Sequence, residues 1–466
     1  MLFSSIPFLY VFLPIVLILY AVAPKSLKNT VLLLSGIVFY AWGEPRYVFL
    51  MMFAIILSYI FGLLIEKSKG KLLAKILLVL NVSVNLGMLA YFKYADFFIS
   101  NFNTLFALSI PLLRIELPIG ISFYTFQILS YTVDVYRGTV PAQRNIVSLG
   151  AYVVMFPQLI AGPIVRYSDV AKALNSRTHT LEKTAYGVRR FILGLSKKIL
   201  IANALGELCD IFRSSDDKTV LYYWLYAIAF TLHIYFDFSG YSDMAIGLGK
   251  LFGFTFMENF DYPYISRSVT EFWRRWHRSL GQWFRDYVYI PLGGNRTSKL
   301  KHIRNIFVVW LLTGFWHGAA WNFVVWGIYF AILLIIEKFW LFKYLSKSKI
   351  LSRIYTLFLV VISFVIFNAN DMSEAFSYIG AMFGAGGINA FSAEVFYYLK
   401  SYAVVLIIGI IGATPIPKKA MEFIASHKVL GKVVNLLEPI ALTMLLIVIT
   451  AYLVDSSFNP FLYFRF

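Results

Sequence analysis

Apolar stretches close to bilayer-spanning length recur along this entire sequence, and that recurrence limits the fold more than any other feature. A hydrocarbon core about 30 Å thick needs a helix of about 20 residues. Ile6–Ala23, Tyr47–Ile65, Leu73–Phe92, Trp321–Trp340 and Val434–Val454 meet or approach that length. Others are shorter, including Thr30–Trp42, Phe97–Leu113, Ile306–Ala320, Ile354–Phe367 and Tyr397–Ile411. Lipid offers no partner to a backbone N–H or C=O, so spanning segments of this kind are helices, and irregular backbone survives at depth only where protein or water covers it. The pattern predicts an all-α polytopic membrane protein with about 11 transmembrane helices, the short runs being re-entrant or interfacial.

Composition agrees. Only 14% of the residues are charged and mean hydropathy is +0.72, against about 25% charged in soluble domains. No polar segment is long enough for a soluble domain, so one integral domain, residues 1–466, is expected. The net charge of +18 reads as orientation and contact with anionic lipid headgroups, because cytoplasmic loops are rich in Lys and Arg; nucleic acid is not expected. Lys25, Lys28, Lys67, Lys69, Lys71 and Lys75, and near the other end Lys418, Lys419, Lys428 and Lys432, place those loops inside and both termini outside, which requires an even number of crossings within two of the roughly 11 counted. The single cysteine, Cys209, excludes an intrachain disulfide and a cysteine metal cluster, leaving a packing role. Ile6–Ala23 lacks a basic leader and a small-residue cleavage site, and reads as a retained first helix. No internal repeat is evident.

The stretch 264–321 departs from this apolar pattern. Its first part carries Trp273, Trp276, Leu280, Trp283 and Tyr287 on one helical stripe, with Arg274, Arg278, Gln282 and Arg285 nearly opposite. This predicts one amphipathic interfacial helix over 269–287, with His277 at the edge of the apolar stripe, placed to face a cavity beneath. His302, within KLKHIR, reads as part of a solvated basic loop. From Arg304 the chain turns apolar, and His317 follows 13 residues later. On one helix that is a rise of about 20 Å. An ionisable side chain at such depth is a functional candidate by default, although a histidine bonded between helices is the alternative. Gly314, Gly318, Ala319 and Ala320 leave room for a substrate or another backbone, and Trp316 and Trp321 are placed to wall an apolar tunnel. Burial favours a neutral imidazole, the form a general base needs.

A third polar stretch is HIYFDFSGYSDMAIG, 233–247. It predicts a broken helix, Leu221–Phe238 and Tyr241–Phe256, with Ser242 or Asp243 capping the second half and Asp237 and Asp243 paired with buried partners or positioning substrate. There is no nucleophile elbow and no metal-ligand spacing such as HExxH, so no metal is expected.

Together these residues resemble the membrane-bound O-acyltransferase superfamily, in its bacterial polysaccharide and peptidoglycan O-acetyltransferase branch, to which the alginate O-acetylation membrane protein belongs. The resemblance runs through MLFSSIPFLYVFLPIVLILY, FYAWGEPRY, LPIGISFYTFQ, AGPIVRY, FDFSGYSDMAIG, FWRRWHRSL, TGFWHGAAWNF and the terminal FNPFLYFRF, in that order. The wider superfamily often has asparagine at the position of His277.

The resemblance implies a ring of membrane helices around a thin centre crossed by a tunnel, in a multi-pass protein of the bacterial inner membrane. It makes His317 the catalytic base and His277 its partner. No cofactor is bound; acetyl-CoA is the co-substrate, and Arg274, Arg275 and Arg278 suit its phosphates. The acceptor is a cell-envelope or exported polysaccharide, reached through an extracytoplasmic esterase-like (SGNH-type) acetyltransferase. Within the aromatic motif 458–466, Tyr463 is a candidate acyl relay, the alternative being an interface anchor. The competing readings are D-alanyl transfer to teichoic acids, and a non-catalytic polysaccharide export or synthase subunit.

Overall fold

The structure, a computed structural model, describes residues 1–455 and 461–462, so Tyr463 lies outside the described residues. Among these the regular elements are all helices. Five are long and apolar enough to cross a membrane unaided: Val48–Lys67, Leu72–Phe106, Trp321–Leu345, Lys349–Asn368 and Lys428–Asp455. Ala393–Ser401 and Ala403–Gly412 form a sixth span if their 58° bend is bridged. The expected number of about 11 crossings therefore depends on helices that are shorter or more polar.

The chain divides into two compact units, Met1–Phe191 with Met244–Met257, and Ile192–Asp243 with Glu258–Phe466. In the first unit, Leu72–Phe106 is one helix of 35 residues, where the sequence suggested two segments, Leu73–Phe92 and Phe97–Leu113. The polar residues between them do not break it, because Lys93 and Tyr94 turn inward and are buried. The chain instead stops at Ala107, in a left-handed conformation. There Asn103 accepts from the Ile110 N–H (3.0 Å), and Asp96 accepts from those of Leu113 and Arg114 (2.6 and 2.8 Å). Asn81 donates to Ser58 on the preceding helix (3.0 Å), a hydrogen bond across two apolar helices.

In the second unit the expected break near Asp237 is absent, and Val220–Leu251 is continuous over 32 residues. The polar side chains find lateral partners on the π-helical stretch Lys197–Ala202, so the backbone ladder is never interrupted. His233 Nδ1 donates to the Ala202 carbonyl (2.6 Å), Lys198 pairs with Asp237 (2.5 Å), and Lys197 pairs with Asp243 (2.6 Å). Ser242 accepts from Asn259 (3.1 Å) rather than capping a helix.

Lys299–His317 and Trp321–Ile336 form a tight hairpin. A Cβ on Gly314 would lie 2.4 Å from the Phe323 carbonyl oxygen, and one on Gly327 would lie 2.4 Å from that of Trp310. The small residues thus admit a second backbone here. Gly314→Ala is expected to wedge the hairpin apart and destabilise the protein by about 1–3 kcal/mol, which thermal unfolding in detergent would show.

Candidate active site

His317 is the last residue of its helix, and Gly318 beyond it is extended. That ending turns the imidazole into an aromatic cage. Trp326 and Phe367 meet it edge to face at ring separations of 5.0 and 5.3 Å, and Trp316 lies at 5.0 Å. The side chain is buried and faces a cavity of about 30 Å³, enough for a water or two. Asp237, Phe238, Trp276 and Phe364 line the same cavity, together with Phe461 and Leu462 from the carboxyl-terminal segment. Trp316 is buried, whereas Trp321 is 54% exposed, and neither lines this cavity. The helical register explains the difference: Trp321 opens the next helix and points away, and Trp326, a turn and a half on, takes the inward position.

His277 arrives by a different route from the one its sequence suggested. The single amphipathic helix over 269–287 is in fact two, Val269–Arg275 and Arg278–Phe284, followed by a π-helical turn. The break falls at His277 itself, whose φ of 43° and ψ of 53° lie in the left-handed region. This kink tucks the imidazole under the chain, and it is 1% exposed. Its Nδ1 lies 3.1 Å from Asn259 Oδ1, which also accepts from Ser279 Oγ (2.9 Å), while Asn259 Nδ2 donates to Ser242 (3.1 Å). An amide oxygen only accepts, so Nδ1 carries the proton. Nε2 is left as a buried acceptor with no partner among the described residues.

Trp316 packs against both histidines, with ring centroids 5.9 Å from His277 and 5.0 Å from His317. Phe238 packs edge-on against His277 at 4.7 Å. The fold therefore brings both histidines against one indole, but the cavity is lined by His317 and Trp276, not by His277.

Burial pushes the His277 pKa down to about 3. Its folded pKa lies below the unfolded value of about 6.5, so between those two values the unfolded chain binds the extra proton and stability rises with pH. Thermal stability is expected to fall as pH drops through this window. His277→Asn should flatten the slope, and parallel profiles for the two proteins would count against a buried neutral His277.

Asp237 is fully buried. Besides pairing with Lys198, it accepts at Oδ2 from the Leu462 N–H (2.9 Å), so it anchors the carboxyl-terminal segment at the cavity. Of the three candidate donor-binding arginines, Arg275 is committed to Glu271 (3.0 Å) and Asp261 (3.2 Å). Arg274 is exposed and Arg278 half-buried. His302 is not solvated, as KLKHIR suggested: it turns inward, shares a 2.9 Å hydrogen bond with the Tyr289 hydroxyl, and packs on Phe339. Asn259 and Trp326 were not singled out in the sequence. Asn259 lies in an aromatic stretch, MENFDYPY, where an isolated amide was the available signal.

A buried imidazole beside an apolar cavity suits proton transfer from an acceptor hydroxyl in a water-poor site. The membrane-bound O-acyltransferase family model matches residues 141–381, a span holding both histidines and Asp237. The chain is 40% identical to the probable alginate O-acetylase of Azotobacter vinelandii over the whole of both proteins. To that of Pseudomonas aeruginosa it is 45% identical, over 83% of this chain and 75% of the relative. The peptidoglycan O-acetyltransferase of Helicobacter pylori is 30% identical, over 100% of this chain and 98% of the relative. The recurring apolar helices and these matches agree: the chain belongs to the membrane-bound O-acyltransferase family and is a multi-pass membrane acyltransferase.

Proposed function

We propose that this protein is an O-acetyltransferase that takes acetyl groups from cytoplasmic acetyl-CoA and passes them across the membrane for O-acetylation of a cell-envelope or exported polysaccharide of the alginate or peptidoglycan type. The observation that carries this reading is His317, buried at an apolar cavity that the carboxyl-terminal segment also lines, in a chain whose relatives are named as O-acetylases. His317 takes the proton of the acceptor hydroxyl as its oxygen attacks the thioester carbonyl. The C–S bond breaks, an oxygen ester forms, and the proton passes to the departing thiolate. His277, held neutral, orients groups around Trp316. Arg274 and Arg278 receive the donor's phosphates, and Arg275 holds its loop through Glu271 and Asp261.

Tyr463 follows Leu462 in sequence, and Leu462 is bonded to Asp237 at the cavity. This supports Tyr463 as the first acceptor, its phenolic ester then being passed on the outer face to an esterase-like (SGNH-type) partner that acetylates the polymer. Tyr463→Phe keeps the aromatic anchor but removes the hydroxyl, and is expected to lower polymer acetylation at least tenfold with unchanged protein level; full acetylation would remove the relay. The function itself is tested by chemical analysis of the envelope and exported polymers in a deletion strain. Loss of O-acetyl ester with unchanged polymer yield is the expected result, whereas normal ester content with failed export would favour an export subunit.

A further inference from the structure

A basic cluster in the first unit, away from both histidines in sequence, has the composition of an anion site. Arg177 is its centre. The Arg177 Nε donates to the Tyr20 hydroxyl (2.7 Å), and its Nη1 donates to Asn29 Oδ1 (2.7 Å) and the Ala173 carbonyl (3.1 Å). Its Nη2 is buried with no partner among the described residues. A buried guanidinium nitrogen left in this way costs free energy that an acceptor would recover. Around it stand further basic side chains. Lys28 Nζ donates to the Tyr20 carbonyl (2.9 Å) and sits 4.3 Å over its ring. His179 Nε2 lies 3.0 Å from the Tyr20 hydroxyl, and Lys183 folds back on Thr178 (2.6 Å).

The Tyr20 hydroxyl donates to the Phe252 carbonyl (2.8 Å), so it accepts from both Arg177 and His179. That fixes the His179 proton on Nε2 and directs the other ring nitrogen away from Tyr20. None of Lys28, Arg177, His179 and Lys183 is ion-paired with a carboxylate among the described residues. His179 is held below its usual pKa by burial first and then by Lys28, Arg177 and Lys183, against a raising hydrogen bond with the Phe252 backbone. Gly253 keeps the backbone clear: a Cβ there would lie 2.9 Å from His179 Nε2 and 3.2 Å from Arg177 Cδ. Phe254 stacks beneath the guanidinium at 4.7 Å.

We infer that Arg177 and Lys28 form a binding site for a phosphate group, with Arg177 Nη2 as its central donor. Phosphate fits better than a carboxylate because several cations converge from different directions, and a phosphate offers more charge and more acceptor oxygens. Two sources share this chemistry, the headgroup of an anionic phospholipid and a soluble phosphate such as that of a coenzyme. The inference does not rest on the acyl-transfer reading, and its test uses no acyl transfer.

The full-length protein in detergent would be titrated with phosphatidylglycerol, with phosphatidylcholine as a control, with inorganic phosphate and with coenzyme A. Binding would be read as a rise in thermal midpoint and, for lipid, by native mass spectrometry. Selective stabilisation by phosphatidylglycerol assigns a lipid headgroup; stabilisation by inorganic phosphate and coenzyme A assigns a soluble ligand. In either case Arg177→Gln is expected to weaken binding by about tenfold or more, the effect of losing a charge-assisted contact. If Arg177→Gln does not fold, Lys28→Gln carries the same comparison. Absence of stabilisation by any of these phosphates, or equal affinities in wild type and variant, would overturn the site.

Discussion

Replacing His317 by alanine is expected to lower acyl transfer by about 10²- to 10⁴-fold, the range for loss of a positioned general base. The imidazole is caged by Trp316, Trp326 and Phe367, and truncation leaves those rings in place, so folding should survive. The measurement is polymer ester content beside protein abundance and thermal midpoint. His317→Gln, which keeps polarity without basicity, should be nearly as inactive. Retained activity in either variant, at normal abundance, would remove His317 from the chemistry.

The second large effect is on stability. Lys198 and Asp237 are 2% and 0% exposed and 2.5 Å apart. Asp237→Ala strands the Lys198 ammonium in a dry interior, which costs about 3–5 kcal/mol. The double change Asp237→Ala with Lys198→Met removes both charges and should recover much of that loss. It should not recover acyl transfer, because the Leu462 N–H has lost its acceptor at the cavity. Chemical denaturation of the wild type, Asp237→Ala, Lys198→Met and the double variant in detergent gives the coupling, and strictly additive effects would contradict the pairing.

The apolar helices and the place of His317 along one of them were legible in the sequence because both follow from helical length and spacing. His317 does end an unbroken helix from Lys299, and Asp237 does have a buried partner, while that of Asp243 is half-buried. What the sequence concealed was satisfaction supplied from elsewhere in the chain. Around Asp237 the polar residues look like a helix break until Lys197, Lys198 and the Ala202 carbonyl are brought alongside. Around His277 the error runs the other way. The amphipathic period continues undisturbed across 269–287, and periodicity does not register a single left-handed residue. Asn259, 18 residues upstream, meets His277 only in three dimensions. The family and its chemistry were legible from motif order; the tautomer of His277 and the anchoring of Leu462 needed atoms.

That left-handed residue also sets which amino acids can stand at position 277. A side chain with a branched or bulky Cβ pays a steric penalty at φ 43°, whereas glycine and asparagine enter this region readily and histidine is tolerated more than most. The asparagine often found here in the wider superfamily is therefore compatible with the same turn of backbone. Position 277 works as a conformational filter first and a chemical position second. His277→Asn separates the two roles by exchanging the imidazole while leaving the kink relaxed, whereas His277→Val would test mainly whether the chain can still turn.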